Sequence, residues 1–179
     1  MDSPDLIKLA VQGDRDAFIR LIREIENSLY NTAISMLRKE EDVADAIQET
    51  ILKAYKSMHT LREPQYFKTW MFRILINECN TLLSRRSRST SYAEVPLSRQ
   101  LEPFSPYDEV DMREAVDQLE ESKRIVIVLH YFEDLSLCQV ADALGLSESA
   151  VKMRLTRARK ELYHKFRNFR EVKLHVEPV

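Results

Sequence analysis

The chain has 179 residues, with 27 Lys and Arg set against 29 Asp and Glu, for a net charge of −2. That balance excludes a protein that coats nucleic acid by bulk charge, so any DNA surface must come from local segregation of charge. Hydrophobic residues make up 44% and glycine only two positions, Gly13 and Gly145, which is enough to build cores but too little glycine for the tight turns of a β-rich fold; the expected fold class is all-α.

Ser3-Pro4 reads as a cap followed by proline at the first helical position, and this first helix stops at Gly13. Asp14 can cap a second helix, in which Phe18, Ile22, Ile25, Leu29, Ala33 and Met36 recur at helical spacing. A third helix buries Val43, Ile47, Ile51, Ala54 and Met58. Its opposite face carries Asp45, Gln48, Glu49 and Leu52 at i, i+3, i+4 and i+7. A leucine framed by acids is typical of a protein contact, although a single exposed leucine is also commonplace.

Pro64 is expected to open a fourth helix running to about Ser84. Its apolar residues, among them Phe67, Met71, Phe72, Leu75, Ile76 and Cys79, cover an arc too wide for one buried face, so this helix should pack on two sides. What remains is a narrow polar stripe of Arg73, Asn77, Asn80 and Ser84, with Trp70 at its border and Arg85, Arg86 and Arg88 beyond it. An aromatic beside amides and arginines suits single-stranded nucleic acid. The same pattern also fits a solvent-facing stripe with Trp70 in the core.

Residues 89–107 hold Pro96, Pro103 and Pro106, several serines and no helical period. A structureless stretch of that length is unusual inside a compact domain, so the chain divides into residues 1–88, a flexible linker 89–107, residues 108–170 and a tail 171–179. Four helical segments are expected after the linker, at about 109–119, 122–132, 136–144 and 147–168.

The strongest pattern is LSLCQVADALGLSESAVKMRLTRARKEL. Leu137, Val140, Ala141 and Leu144 give a short buried face, Gly145 supplies a sharp turn, and Ser147 caps a new helix with Glu148 in its first turn. Val151, Leu155, Ala158 and Leu162 then fall within roughly a 60° arc. The outer side holds Ser149, Met153, Thr156, Arg157 and Lys160, with Lys152 and Arg159 at one edge and Arg154 nearer the buried side. Residues 150–170 carry eight Lys and Arg against Glu161 alone, whereas residues 108–121 carry seven acids and one Arg. This is a helix-turn-helix, with arginine and lysine placed for phosphates and guanine edges.

Other chemistry is not supported. His59, His130, His164 and His175 are scattered, and there is no HExxH, nucleophile elbow or P-loop, so no enzyme is expected. Cys79 and Cys138 stand alone in apolar helical contexts and are expected to be core thiols; neither a metal nor a cofactor is expected. No apolar run reaches the roughly 20 residues that span a bilayer, and the N-terminus lacks a signal-peptide core, so a cytoplasmic protein is expected.

The stretches DVADAIQETILKAYKSM and YFKTWMFRILINECNTLLSRR resemble region two of bacterial sigma factors, and LEESKRIVIVLHYFEDLSLCQVADALGLSESAVKMRLTRARKEL resembles their region four. With these two regions alone, the chain is similar to the extracytoplasmic function group. The resemblance implies an alternative sigma factor that takes core RNA polymerase to promoters. It implies that Asp45, Gln48, Glu49 and Leu52 dock on the clamp helices of the β′ subunit. It implies that Lys53, Ser57, Phe67, Trp70, Arg73 and Asn77 serve −10 recognition and melting around a flipped base. By the same resemblance Ser149, Lys152, Met153, Arg154, Thr156, Arg157 and Lys160 read the −35 duplex, and an anti-sigma protein, often membrane-anchored, is a further partner. The loop HTLREPQYFKTW departs from relatives with a glycine there, and Pro64 stiffens it. The competing reading is a helix-turn-helix regulator that binds duplex DNA alone. Such proteins usually pair through a dimerisation helix, and no heptad repeat is present.

Overall fold

A computed structural model of the chain describes the backbone of residues 3–89 and 112–174. Side chains are described for most of these, but not for Ser3, Arg88, Ser89, Arg113 or residues 167–174. The expected linker therefore lies, but for Ser89, outside the described residues. Among the described residues every regular element is helical.

The first domain holds α1 (Ser3–Val11), α2 (Arg15–Leu37), α3 (Glu40–Ser57) and α4 (Phe67–Ser89). Gly13 adopts φ 99° and ends α1. Asp14 then accepts a 2.9 Å bond from the Ala17 amide, which satisfies one of the orphan donors at the start of α2. Two 3₁₀ turns, Met58–Thr60 and Pro64–Tyr66, connect α3 to α4. Pro64 thus opens a tight turn and not the helix itself, because its missing amide and fixed φ suit the first turn before α4 starts at Phe67. The helix then runs five residues past the expected end at Ser84, to Ser89.

The second domain holds α5 (Met112–Asp117), α6 (Glu121–Ile127), α7 (Leu137–Leu144) and α8 (Glu148–Leu174). Its helix α6 widens into a π turn, Val128–Phe132. His130 Nδ1 lies 2.7 Å from the Leu135 carbonyl at the end of that turn. The core residues Val126, Leu129, Val140, Val151, Leu155 and Ala158 are fully buried here.

The wide apolar arc of α4 has the expected consequence. Met71, Phe72, Leu75, Ile76 and Cys79 are buried, and α4 packs both on α2 and α3 of its own domain and on α7 of the second. The two domains are therefore in direct contact. The α3 stripe is less uniform than expected: Val43, Ala54 and Met58 are buried, but Ile47 and Ile51 are only half-buried at its margin.

The two cysteines differ. Cys79 is fully buried, and burial pushes its thiol up to about 12. Cys138 is exposed on α7, so the expectation of a core thiol fails there: the inward side of α7 is formed by Val140, Ala141 and Ala143. A maleimide at pH 7.5 is expected to label one thiol of the folded protein rapidly, mapped to Cys138 by peptide mass. Cys79 should react only after denaturation, because its thiolate is disfavoured and its sulfur is sealed. Equal labelling of both thiols in native buffer would contradict this packing.

Candidate nucleic-acid and partner interfaces

The helix-turn-helix is built from three local devices. Ser136 caps α7, its hydroxyl accepting from the Gln139 amide at 3.2 Å while the Gln139 side chain accepts from the Ser136 amide at 2.9 Å. Gly145 ends α7 at φ 64°, ψ 36°, a left-handed conformation that costs a residue with a Cβ. Ser147 then caps α8 by accepting from the Ala150 amide at 3.2 Å. Leu137 and Leu144, expected in the buried face of α7, are half-buried; Val140, Ala141 and Ala143 carry the contact instead.

This frame fixes the two sides of α8. Val151 and Leu155 are 0% and 2% exposed, while Met153 is 52% exposed. Ser149, Lys152, Thr156, Arg157 and Lys160 are exposed beside it, and Arg159 with them. They form one polar, cationic surface. Arg154 is half-buried and lines a cleft of about 410 Å³ between the two domains, together with Asn80, Glu120 and Glu121. Ser122, through its hydroxyl and its amide, holds the Glu120 carboxyl below the usual range, and Arg154 adds to this.

On α3, Asp45, Gln48, Glu49 and Leu52 are all exposed, with Leu52 at 44%. The face opposite packs through Val43, Ala46 and Thr50 into the domain. Tyr55 extends the apolar strip and lies edge-on to Phe18, ring centroids 5.2 Å apart.

The expected −10 residues do not all reach one surface. Asn77 is exposed and Trp70 half-buried. Phe67 is buried under Trp70, with centroids 6.3 Å apart, and so can only shape a pocket from beneath. Lys53 pairs with Glu78 at 2.6 Å, and Ser57 donates to the Lys53 carbonyl. Arg73 is engaged by the other domain: it bonds Asp142 of α7 at 3.1 Å. The polar stripe of α4 thus faces the second domain over part of its length, which periodicity within α4 alone does not disclose.

A set of residues at this junction was missed by the sequence reading. Arg124 on α6 is 3% exposed. It donates Nε to the Ser35 carbonyl of α2 at 2.5 Å, and Nη1 to the carbonyls of Leu119 and Asp117 at 2.6 and 3.2 Å. Burial, and then the nearby Arg38, lower the pKa of this guanidinium. Arg38, itself at φ 61°, donates to the same Asp117 carbonyl at 2.7 Å. Lys68 donates to the Glu133 carbonyl at 2.6 Å and pairs with its carboxylate at 3.4 Å. The only hint in the sequence is an arginine opening the apolar run RIVIVL.

Comparison with known proteins decides the family. The description Sigma-70 region 2 matches residues 21–89, and Sigma-70, region 4 matches residues 109–162. RNA polymerase sigma factor SigV of Bacillus subtilis is 30% identical over 152 residues, covering 83% of this chain and 90% of that one. The chain belongs to the extracytoplasmic function group of RNA polymerase sigma factors. The ECF sigma factor SigW of the same organism is 28% identical, over 90% of this chain and 95% of its own. Among solved structures, CnrH in complex with the cytosolic domain of CnrY is 25% identical, with TM-score 0.65 over 93% of this chain and 97% of that one. The sigma factor RpoE of Bartonella quintana, solved with the anti-sigma factor NepR, shares the fold at 24% identity and TM-score 0.70, over 84% and 96%. The chain is therefore a non-enzymatic initiation factor, and the stand-alone regulator is displaced as a reading of its function.

The turn of the region-four motif yields a direct test. A Cβ built at Gly145 meets nothing within 4 Å, so only the backbone opposes substitution. Gly145→Ala in this sigma factor is expected to cost about 1–2 kcal/mol in denaturant unfolding. Gly145→Asn should cost less, because asparagine tolerates the left-handed region. An alanine variant as stable as wild type would show that the turn does not need this conformation.

Proposed function

We propose that this sigma factor divides promoter recognition among three surfaces. The α3 face of Asp45, Gln48, Glu49 and Leu52 docks on the β′ clamp helices of core RNA polymerase. The exposed part of the α4 stripe, led by Asn77 with Trp70 at its edge, takes the opened −10 strand, and Arg73 and Lys53 supply charge once released from their partners. The outer face of α8 enters the major groove of the −35 duplex. One observation carries the reading: in α8, the buried row and the cationic row are separated cleanly, so the side chains that can touch DNA project together.

The physical division of labour follows from side-chain chemistry. Arg157 presents a fork of donors that matches the two acceptors of guanine. Lys160 is a point charge suited to a phosphate. Ser149, Lys152 and Met153 lie at the end of α8 that usually enters the groove, and the exposed Thr156 donates its hydroxyl to the Lys152 carbonyl at 2.9 Å. Arg154, drawn toward the interdomain cleft, suits a flanking phosphate. Asn77 can both donate and accept at a base edge.

The further partners follow the relatives. CnrH was solved with the cytosolic domain of CnrY and RpoE with its anti-sigma factor NepR, and we propose an anti-sigma protein, membrane-anchored or not, for this chain also. No helix among the described residues is long and apolar enough to cross a membrane. Action in the cytoplasm, where polymerase and promoter meet, completes the proposal.

Two measurements test these assignments. Active −35 sequences selected from a randomised promoter library should lose discrimination at one or two base positions with Arg157→Ala, a cost of about 1–3 kcal/mol. Lys160→Ala should weaken all sequences alike and shallow the salt dependence by about one unit. An unchanged consensus with Arg157→Ala moves base reading to Lys152 or Met153. For α4, Asn77→Ala holoenzyme should bind duplex promoters but open them poorly, and a mismatched bubble should rescue it. Normal permanganate reactivity of the mutant on fully paired DNA would refute the melting role.

A further inference from the structure

We propose that Tyr163, one turn beyond Lys160 on α8, donates its hydroxyl to a phosphate at the edge of the −35 duplex. The inference rests on the reading of α8 as the −35 helix, and it adds a neutral contact to a surface otherwise read as cationic.

Position comes first. Tyr163 stands seven residues, close to two full turns, beyond Thr156, so it continues the outer row of α8. It is 64% exposed, more than Met153 at 52%. The inner row persists at this level, because Leu162 is buried and Phe166 packs against the core. The tyrosine therefore points outward from a helix that is still seated on its domain. At 1.5 Å per residue it lies about 15 Å along the axis from Met153, against a major groove about 12 Å wide. A helix with Ser149, Lys152 and Met153 on base edges thus meets the phosphate wall near Tyr163, as the C-terminal end of the recognition helix does in homeodomains.

The surroundings keep this part of the helix in place and leave room for an anion. Glu161 is the one acid among residues 150–170. It is turned toward the domain, where Lys123 of α6 meets it at 2.9 Å and Lys165 at 4.0 Å. Lys165 also donates to Gln118, just past α5, at 3.4 Å. These bonds tie α8 to α5 and α6 beside Tyr163 and pair the only carboxylate that would repel a phosphate there. His164 lies edge-on to Tyr163, ring centroids 6.0 Å apart and planes at 72°, which narrows the freedom of the ring. A phenol suits such a place, since it donates to a phosphate oxygen without bringing a charge of its own. A lysine releases a counterion when it takes a phosphate, whereas a hydroxyl displaces none. Tyr163 therefore adds affinity that salt does not remove, in contrast with Lys160.

Holoenzyme made from the full chain and core RNA polymerase tests this on a promoter whose −35 phosphates are replaced one at a time by neutral methylphosphonates. Tyr163→Phe keeps the ring and both rows of α8 and removes only the hydroxyl. It should weaken promoter binding about fivefold to tenfold. The selected −35 consensus and the salt slope should stay at their wild-type values, while Lys160→Ala shallows the slope by about one unit. One methylphosphonate at the edge of the −35 element should weaken wild type by a larger factor than it weakens Tyr163→Phe, because the variant has no hydroxyl bonded there. At every other phosphate the two proteins should lose affinity alike. This coupling to a single phosphate separates a contact from a structural role, which would lower affinity equally at all positions. Wild-type affinity of Tyr163→Phe, or a loss coupled to no phosphate, overturns the proposal. Arg157→Ala in the same panel distinguishes the two failures. A blurred consensus with Arg157→Ala and no effect of Tyr163→Phe removes the tyrosine contact alone, whereas no effect of either removes the reading of α8 on which it rests.

Discussion

The structure depends on one helix that has to bury itself twice. With Phe67 and Ile74 added to Met71, Phe72, Leu75, Ile76 and Cys79, the apolar side chains cover roughly 200° of α4, too much for a single neighbour. Each large apolar side chain contributes about 1.5–3 kcal/mol when withdrawn from water, so leaving one flank of α4 wet would waste much of the stability of a small domain. Packing on α2 and α3 takes one flank, and α7 lies against another part of the helix. The rest of the circumference includes the narrow polar stripe, of which Arg73 pairs with Asp142 of α7, Asn80 lines the interdomain cleft and Asn77 is exposed. The helix is thereby held rigidly, and the polar groups it can offer a nucleic acid are fixed in register by the same packing.

Charge is organised by the same logic of local separation. A net charge of −2 hides an acidic helix, α3, and a cationic one, α8. An acidic face with an exposed leucine repels DNA and suits a basic protein surface, while the outer row of α8 repels that surface and suits phosphate. At the interdomain junction the two signs pair across the domains, Lys68 with Glu133 and Arg73 with Asp142. There the burial of Arg124 takes a guanidinium out of water, which costs several kcal/mol when its bonds are lacking. Three carbonyl acceptors offset that penalty. Removing any of them without the arginine, or the arginine without them, leaves an unpaired buried group.

Much of this was legible in the sequence because it is local. Asp14, Gly13, Gly145 and Ser147 announce helix ends by conformational and hydrogen-bonding preferences that act over a few residues. The period of Val151, Leu155 and Ala158 places the outer row of α8 directly. The failures are those where a distant segment decides. Cys138 looks apolar by its neighbours, yet Val140, Ala141 and Ala143 take the inward positions and leave it in water. Phe67 is buried beneath Trp70, a depth that helical periodicity alone does not give. Arg73 and Asp142 are 69 residues apart, and Arg124 and Ser35 are 89 apart. No periodicity within one helix reports such pairs, since each arginine is an ordinary polar residue until the partner helix arrives. The two α4 flanks were foreseen from the wide arc, whereas the identity of the second neighbour was not.

The central claim is that these surfaces act together, as a factor that gives core polymerase its promoters. The most direct measurement is run-off transcription with purified core RNA polymerase on a library of randomised −35 and −10 sequences, with Glu49→Lys beside the wild-type chain. Helical content should be the same in both, because Glu49 points away from the α3 core. Wild type should yield discrete transcripts from a sequence-defined subset of templates, and Glu49→Lys should lose core binding by several kcal/mol and the transcripts with it. Transcripts no different from core alone, or a Glu49→Lys chain that binds core and initiates like wild type, would contradict the account.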